Sequence, residues 1–284
     1  MEAPSSSAAL VKEYYTETVY IEWRRLIKDA AHRLELETTL HFLDKHLPPS
    51  GTILDAGGGP GRYTIELARR GYTMTLLDMT PANLTFARRQ IKRAGVQARV
   101  SDVVEGTILD LTRFASGSFD AVVCLGGPLS HVLDAADRRR AVDELLRVVK
   151  PGGIVALSVM GRLSVLAMEL LLFPEELDLP VHSQIRDTGS YFGGSGFTAC
   201  HFFLPEEFVS LFDGKFDGHR VSVVTLAGLE GLSSRLNKSY NRVAKHPDRW
   251  RRWLETHCAT CTHPAVVGLS EHMLIIVRKE EKTK

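Results

Sequence analysis

The residues with the clearest chemical consequence lie in Ile53-Leu54-Asp55-Ala56-Gly57-Gly58-Gly59-Pro60-Gly61-Arg62. The apolar start reads as a short buried strand. It ends in a glycine-rich turn and runs into an amphipathic helix from Arg62 to Arg70. Glycines at 57, 59 and 61 allow a tight turn with no Cβ to hold a ligand away. The helix start adds free N–H groups and a partial positive charge. A turn of this kind suits a nucleotide-like cofactor. The third glycine comes one residue earlier than in Gly-x-Gly-x-x-Gly, the pattern that seats a pyrophosphate. Asp55 stands two residues before the first glycine, where a carboxylate repels a diphosphate but suits an ammonium group. The pattern implies a cofactor with an amino-acid end. A second apolar strand, Tyr72 to Leu77, ends in Asp78, and a carboxylate there can accept both hydroxyls of a ribose.

With these features in place, the sequence resembles the class I S-adenosylmethionine-dependent methyltransferases. The glycine-rich turn resembles their first motif, and Asp78 matches their ribose-binding acid. Ser118-Phe119-Asp120-Ala121-Val122-Val123-Cys124-Leu125 looks like the family's fourth strand. Leu145-Leu146-Arg147-Val148-Val149-Lys150-Pro151-Gly152-Gly153 looks like the helix and turn before its fifth, Ile154 to Met160. The resemblance spans about residues 35–160. It implies an α/β fold with a doubly wound, mostly parallel seven-stranded sheet, Rossmann-like, and S-adenosylmethionine as methyl donor.

The resemblance also implies site residues. Asp55 and the backbone of Gly57, Gly59 and Gly61 correspond to contacts with the methionine end. Asp78 and Met79 correspond to ribose and adenine contacts. Thr107, Ile108 and Asp110 fall where the third strand meets the adenine; many members carry Gly-Asp-Ala there, whereas this chain has Gly106-Thr107-Ile108. Leu125 and Gly126, with Gly127, fall where the fourth strand meets the methionine part. Members often set an N-terminal tyrosine over the cofactor, which makes Tyr14, Tyr15 and Tyr20 candidates. The Asn/Asp-Pro-Pro-Tyr/Phe motif of amino-methyltransferases acting on nucleic-acid bases is replaced by Leu125-Gly126-Gly127-Pro128-Leu129-Ser130-His131. This argues against an exocyclic base amine and leaves a small-molecule oxygen, nitrogen, sulfur or carbon nucleophile. His131, a few residues past the fourth strand, is the candidate catalytic base, because imidazole titrates near neutral pH. Tyr191 and His201 are candidate acceptor contacts, with His272 a further one.

The elements that must position these groups alternate along the chain. Within an N-terminal segment, 1–47, residues 10–47 are mostly helical in pattern and end at Pro48-Pro49. The core, 48–160, alternates strand and helix: strand 52–56, helix 62–70, strand 73–77, helix 81–94, strand 98–104, strand 121–125, helix 135–149 and strand 154–160. Such alternation builds a parallel sheet covered by helices on both faces. Residues 161–284 hold insertions at 161–215 and 229–268 and the last strands, 219–225 and 272–278. Gly189 to Phe197, rich in glycine and aromatics, reads as a lid. Asn237 to Trp253 reads as one basic helix with a solvated face.

Composition narrows the class. A 44% hydrophobic content with 24% charged residues is that of a soluble globular domain, and a formal charge of +1 gives no strong nucleic-acid signal. The longest greasy stretch, Leu163 to Phe173, contains Glu169 and is too short to span a bilayer. Met1 to Ala9 reads as a frayed tail without a secretory signal, so a cytoplasmic location is expected. Four cysteines give no disulfide framework. His257-Cys258-Ala259-Thr260-Cys261-Thr262-His263 lacks a second Cys-x-x-Cys and reads as a structural loop, with no metal expected. The leading expectation is therefore a methyltransferase with a small-molecule acceptor and an oligomeric state left open. Methyl transfer to RNA or protein, and a non-catalytic cofactor-binding regulatory module, are the alternatives. The glycine spacing argues against a nicotinamide dehydrogenase.

Overall fold

The computed structural model describes residues 7–194 and 196–282. Residues 1–6 of the expected tail, Ser195 of the expected lid, and residues 283–284 lie outside the described residues. Three helices open the chain: α1 (Ser7–Glu17), α2 (Val19–Arg25) and α3 (Ala30–His46). Helix α1 begins inside the segment read as a frayed tail. The core follows with β1 (Thr52–Ala56), α4 (Arg62–Arg69), β2 (Thr73–Asp78), α5 (Pro81–Arg93), β3 (Val100–Glu105), β4 (Phe119–Cys124), α6 (Ala135–Val148) and β5 (Val149–Met160). Thr80 precedes Pro81 in an extended conformation without a side-chain cap bond, while Pro81 occupies the first turn of α5.

Past Met160 come α7 (Arg162–Leu172), α8 (Pro180–Thr188), the short strands β6 (Ser190–Tyr191) and β7 (Cys200–His201), and α9 (Pro205–Ser210). The chain ends with β8 (Lys215–Phe216), β9 (His219–Gly228), α10 (Asn237–Val243), α11 (Pro247–Thr260), α12 (Pro264–Val267) and β10 (His272–Lys279). The basic segment expected as one helix is two, because Pro247 opens α11 and its ring cannot continue α10. The Cys258 segment is the last turn of α11 rather than a loop, and all four cysteines are free.

Among the described residues the main sheet has eight strands in the order β3-β2-β1-β4-β5-β10-β9-β8. The first five are mutually parallel and the last three run antiparallel. Seven strands were expected; the eighth is β8, paired with β9 through Phe216 opposite His219. Its turn is Asp217-Gly218, at φ 45° and 77°, a pair suited to a tight hairpin. Strand alternation sends Ile53, Met74, Leu76, Ala121 and Ile154 to one face, where α3, α4 and α5 cover them. Leu54, Leu77, Val122, Val155 and Ile275 point to the other, under α6 and α9. Strand order reverses between β1 and β4, so a crevice opens beyond their carboxyl ends.

Candidate functional site: a cavity at the switch point

The turn after β1 and the turn after β4 meet at this crevice. Gly57 has φ 77°, and a Cβ placed on it would lie 2.7 Å from the Pro128 ring. Glycine is therefore required both for the backbone angle and for the close approach. The turn is anchored to β2: Gly57 and Gly58 donate their N–H groups to the Leu77 carbonyl at 2.7 and 3.1 Å. Gly59 donates to Asp78 Oδ2 at 2.9 Å. Gly61, at φ 86°, caps α4.

Around these turns lies a cavity of about 560 Å³. Of the residues expected to contact a cofactor, Tyr15, Gly57, Gly59, Asp78, Met79, Thr107, Ile108, Leu125 and Gly126 line it, as does His131. Asp55, Gly61 and Asp110 do not. Asp55 is fully buried behind the turn, against the position of Gly58, and its Oδ2 accepts from the Thr64 hydroxyl at 2.6 Å. Burial pushes its carboxyl up to about 7. Asp110 faces solvent and accepts from the Thr112 amide and hydroxyl at 3.0 and 2.6 Å. Tyr191 and His201 stand outside the cavity wall as well. His201 is buried and paired with Glu207, which also meets Arg138 and Arg162. Phe192, the neighbour of Tyr191, lines the cavity instead.

Asp78 is itself buried. Besides Gly59, it accepts from the Thr80 amide at 2.8 Å and Asn83 Nδ2 at 3.2 Å. Burial raises its pKa, and these bonds oppose the rise. Asn83 also lines the cavity, and its buried Oδ1 has no partner among the described residues.

Sequence reasoning missed Asn83 and the contribution of α2. Glu22, Arg25 and Leu26 form part of the wall. Arg25 Nε donates to both Glu22 oxygens at 2.9 and 3.1 Å, and its other nitrogens hold Glu35. Burial disfavours the Arg25 charge, but the two carboxylates outweigh it and raise the pKa. Arg25 Nη2 lies 3.2 Å from where a Cβ on Gly126 would stand, which sets it beside the turn after β4. Glu22 and Arg25 are an i,i+3 pair visible in sequence, but only folding brings α2 to the mouth of the sheet. Behind them His272 lies between Glu230, at 2.8 Å, and Glu35, at 3.6 Å.

His131 ends a 3-10 turn, Pro128–His131, that follows Gly127 at φ 89°. Its Nδ1 lies 2.9 Å from the Ala199 carbonyl and its Nε2 lies 2.8 Å from the Tyr15 hydroxyl. Burial lowers its pKa, partly offset by the Ala199 carbonyl and the Glu22 charge. The Tyr15 ring packs edge-on against it at 5.3 Å, and Phe197 from the glycine-rich loop lies 5.8 Å away. Helix α1 and this loop thus meet over one end of the cavity.

Known proteins similar to this chain point the same way. Residues 53–153 match the model of a methyltransferase domain. Over 147 residues the chain is 31% identical to a glycine/sarcosine N-methyltransferase of Parasynechococcus marenigrum, covering 51% of this chain and 50% of the relative. Over 124 residues it is 36% identical to a ubiquinone biosynthesis O-methyltransferase of Xanthomonas axonopodis, covering 43% and 49%. Over its core the chain is thus similar to S-adenosylmethionine-dependent methyltransferases. It spans about half the length of the curated relatives it matches.

Solved structures agree on the fold. An S-adenosylmethionine-dependent methyltransferase of Methanosarcina mazei superimposes with a TM-score of 0.55 at 21% identity, covering 84% of this chain and 98% of that one. A 1,6-didemethyltoxoflavin N1-methyltransferase of Burkholderia thailandensis, solved with its substrate and S-adenosylhomocysteine, gives 0.53 at 16%, covering 99% and 92%. The cavity fits such a cofactor on its own terms. It has an unpartnered acceptor at Asn83, a carboxylate at Asp78, a guanidinium at Arg25, and a Gly59 whose missing Cβ would meet nothing closer than 3.8 Å.

Proposed function

We propose that this protein transfers the methyl group of S-adenosylmethionine to a small molecule held between the cofactor, α1 and the 3-10 turn. The observation that carries the reading is one cavity with hydroxyl-binding groups at Asp78 and Asn83 and a tyrosine–histidine pair at its other wall. A carboxylate offers about four lone-pair positions, and three of those of Asp78 are already used. Asp78 thus takes one ribose hydroxyl and Asn83 Oδ1 takes the other. Met79, Thr107 and Ile108 flank the adenine. Arg25, beside Gly126, faces the carboxylate of the methionine end. Asp55 acts through the turn: it supports Gly58 from below and does not contact the cofactor.

The bound donor supplies an already activated methyl, and the protein's work is to align the acceptor and exclude water. Val11, Leu26, Leu125 and Phe192 provide apolar wall for this purpose. His131 is the basic group nearest the acceptor space. The apolar wall suits a compact small molecule better than a polymer. The two relatives named above are an N- and an O-methyltransferase, consistent with a small acceptor.

Calorimetry with S-adenosylmethionine, S-adenosylhomocysteine and NAD tests the cofactor. The two sulfur ligands are expected to bind and NAD is not. NAD binding with no response to either sulfur ligand would overturn the reading. Metabolite fractions incubated with labelled donor, followed by mass spectrometry, then identify the acceptor.

A further inference from the structure

We propose that Tyr15, not His131, meets the acceptor's proton, with His131 as the final proton holder, and that the acceptor group is an acidic hydroxyl of the phenol or enol class. The inference rests on the methyl-transfer reading above. It begins with a tautomer. The Ala199 carbonyl can only accept a hydrogen bond, so His131 Nδ1, 2.9 Å away, must carry a proton. In neutral imidazole Nε2 is then a bare acceptor. Its partner at 2.8 Å is the Tyr15 hydroxyl, which has to donate its only proton to it. The Nε2 lone pair is thereby occupied. An acceptor molecule reaching the dyad meets the lone pairs of the Tyr15 oxygen instead.

The order of proton movement follows. As the acceptor oxygen forms its bond to the methyl carbon, the carbon–sulfur bond breaks and its electron pair stays on sulfur. The acceptor's hydroxyl proton moves to Tyr15 Oη while the Tyr15 proton moves to His131 Nε2. Tyr15 ends neutral and His131 ends as an imidazolium, which returns its proton to water. Tyr15 never needs to ionise, which matters because burial raises its pKa well above 10.0.

The acceptor class follows from where the hydrogen-bonded relay ends, on the imidazole Nε2 of His131. Burial holds the His131 imidazole below its ordinary 6.5. The charged and titratable groups acting on the dyad are Glu22 and Arg25 of α2, Tyr14 of α1 and Asp78 of β2; Glu22 opposes the lowering at His131. Imidazole, even at its ordinary pKa of about 6.5, is mismatched to an aliphatic alcohol, whereas a phenol of pKa ~10 is within reach of concerted transfer. An uncharged amine attacks through a lone pair it already has and gains little from the relay.

NMR of histidine-labelled protein tests this without turnover, with His131→Gln used to assign the resonance. The expected wild-type spectrum shows His131 protonated at Nδ1 and bare at Nε2. A resonance protonated only at Nε2 would overturn the relay, and wild-type protein alone decides that point. Phenol and benzylamine are then titrated into protein saturated with S-adenosylhomocysteine. Phenol is expected to move the Nε2 resonance in wild type and at least fivefold less in Tyr15→Phe. An equal shift in Tyr15→Phe would show that His131 meets the acceptor directly. No shift with phenol, or an equal one with benzylamine, would overturn the acceptor class. Failure of S-adenosylhomocysteine to bind would count against the methyl-transfer reading, while the tautomer still judges the relay.

Discussion

Replacing Asp78 by alanine is expected to injure both the fold and the cofactor site, in amounts that can be separated. Its strand-end position suggests a carboxylate free to serve a ligand. The structure gives it a second task, because it accepts from Gly59, Thr80 and Asn83 at 2.9, 2.8 and 3.2 Å. A hydrogen bond to a charged group is worth about 1.5–3 kcal/mol, but removing a buried carboxylate also removes its desolvation cost. That cost is real here, since burial raises the Asp78 pKa despite the three bonds. A net loss of roughly 2–4 kcal/mol is expected, which for a domain of this size lowers the melting temperature by about 5–15 °C. Loss of one ribose contact weakens S-adenosylhomocysteine binding by about 1.5–3 kcal/mol, or roughly 10–150-fold. Thermal melts give the first quantity and calorimetry below the variant's transition gives the second. Asn83→Ala removes one of the three bonds and serves as the milder comparison. The reasoning is refuted if Asp78→Ala melts within about 1 °C of wild type or binds S-adenosylhomocysteine within about threefold.

Three further outcomes follow from the geometry. Burial disfavours the His272 charge, yet Glu35 and Glu230 push its pKa up to about 9, above its unfolded value. Its stabilising contribution is complete below about pH 6.5, amounts to up to roughly 3 kcal/mol, and is lost as pH rises through about 9. Melting curves from about pH 6 to 10 should show the loss in wild type and a flatter profile in His272→Gln. Asp55 is likewise raised, to about 7, so the folded state holds its proton more tightly than the unfolded state. Stability then falls as pH rises toward 7, and Asp55→Asn should gain on wild type between pH 5 and pH 8; a constant difference would mean that Asp55 is not buried as a lone carboxylate. Gly57→Ala forces a Cβ to 2.7 Å from Pro128 at φ 77°. It should cost about 1–3 kcal/mol and weaken cofactor binding, whereas an unperturbed variant would show that the two turns do not meet this closely.

The glycine turn, the acid after β2 and the alternation of strands and helices are local signals, written within a few residues of one another. They determined the sheet's direction, its switch point and the cofactor class, because a tight turn needs glycine and a buried strand needs apolar runs wherever the chain later travels. Nothing local told Asp55 from Asp78 as a ligand contact. Both lie at the carboxyl ends of neighbouring strands, and only the packing of Thr64 and Gly58 sends one under the turn while Asn83 and the cavity take up the other. The partners of the site come from far along the chain. Tyr15 meets His131 across 116 positions, and His131 meets Ala199 across 68. His272 and Glu230 back Glu35, which in turn holds Arg25 at the cavity wall. Such contacts carry no spacing rule, since loop lengths do not encode where α1 and α2 fold back across the sheet. Burial itself, which sets the proton affinities of Asp55, His131 and His272, exists only once the layers have closed around them.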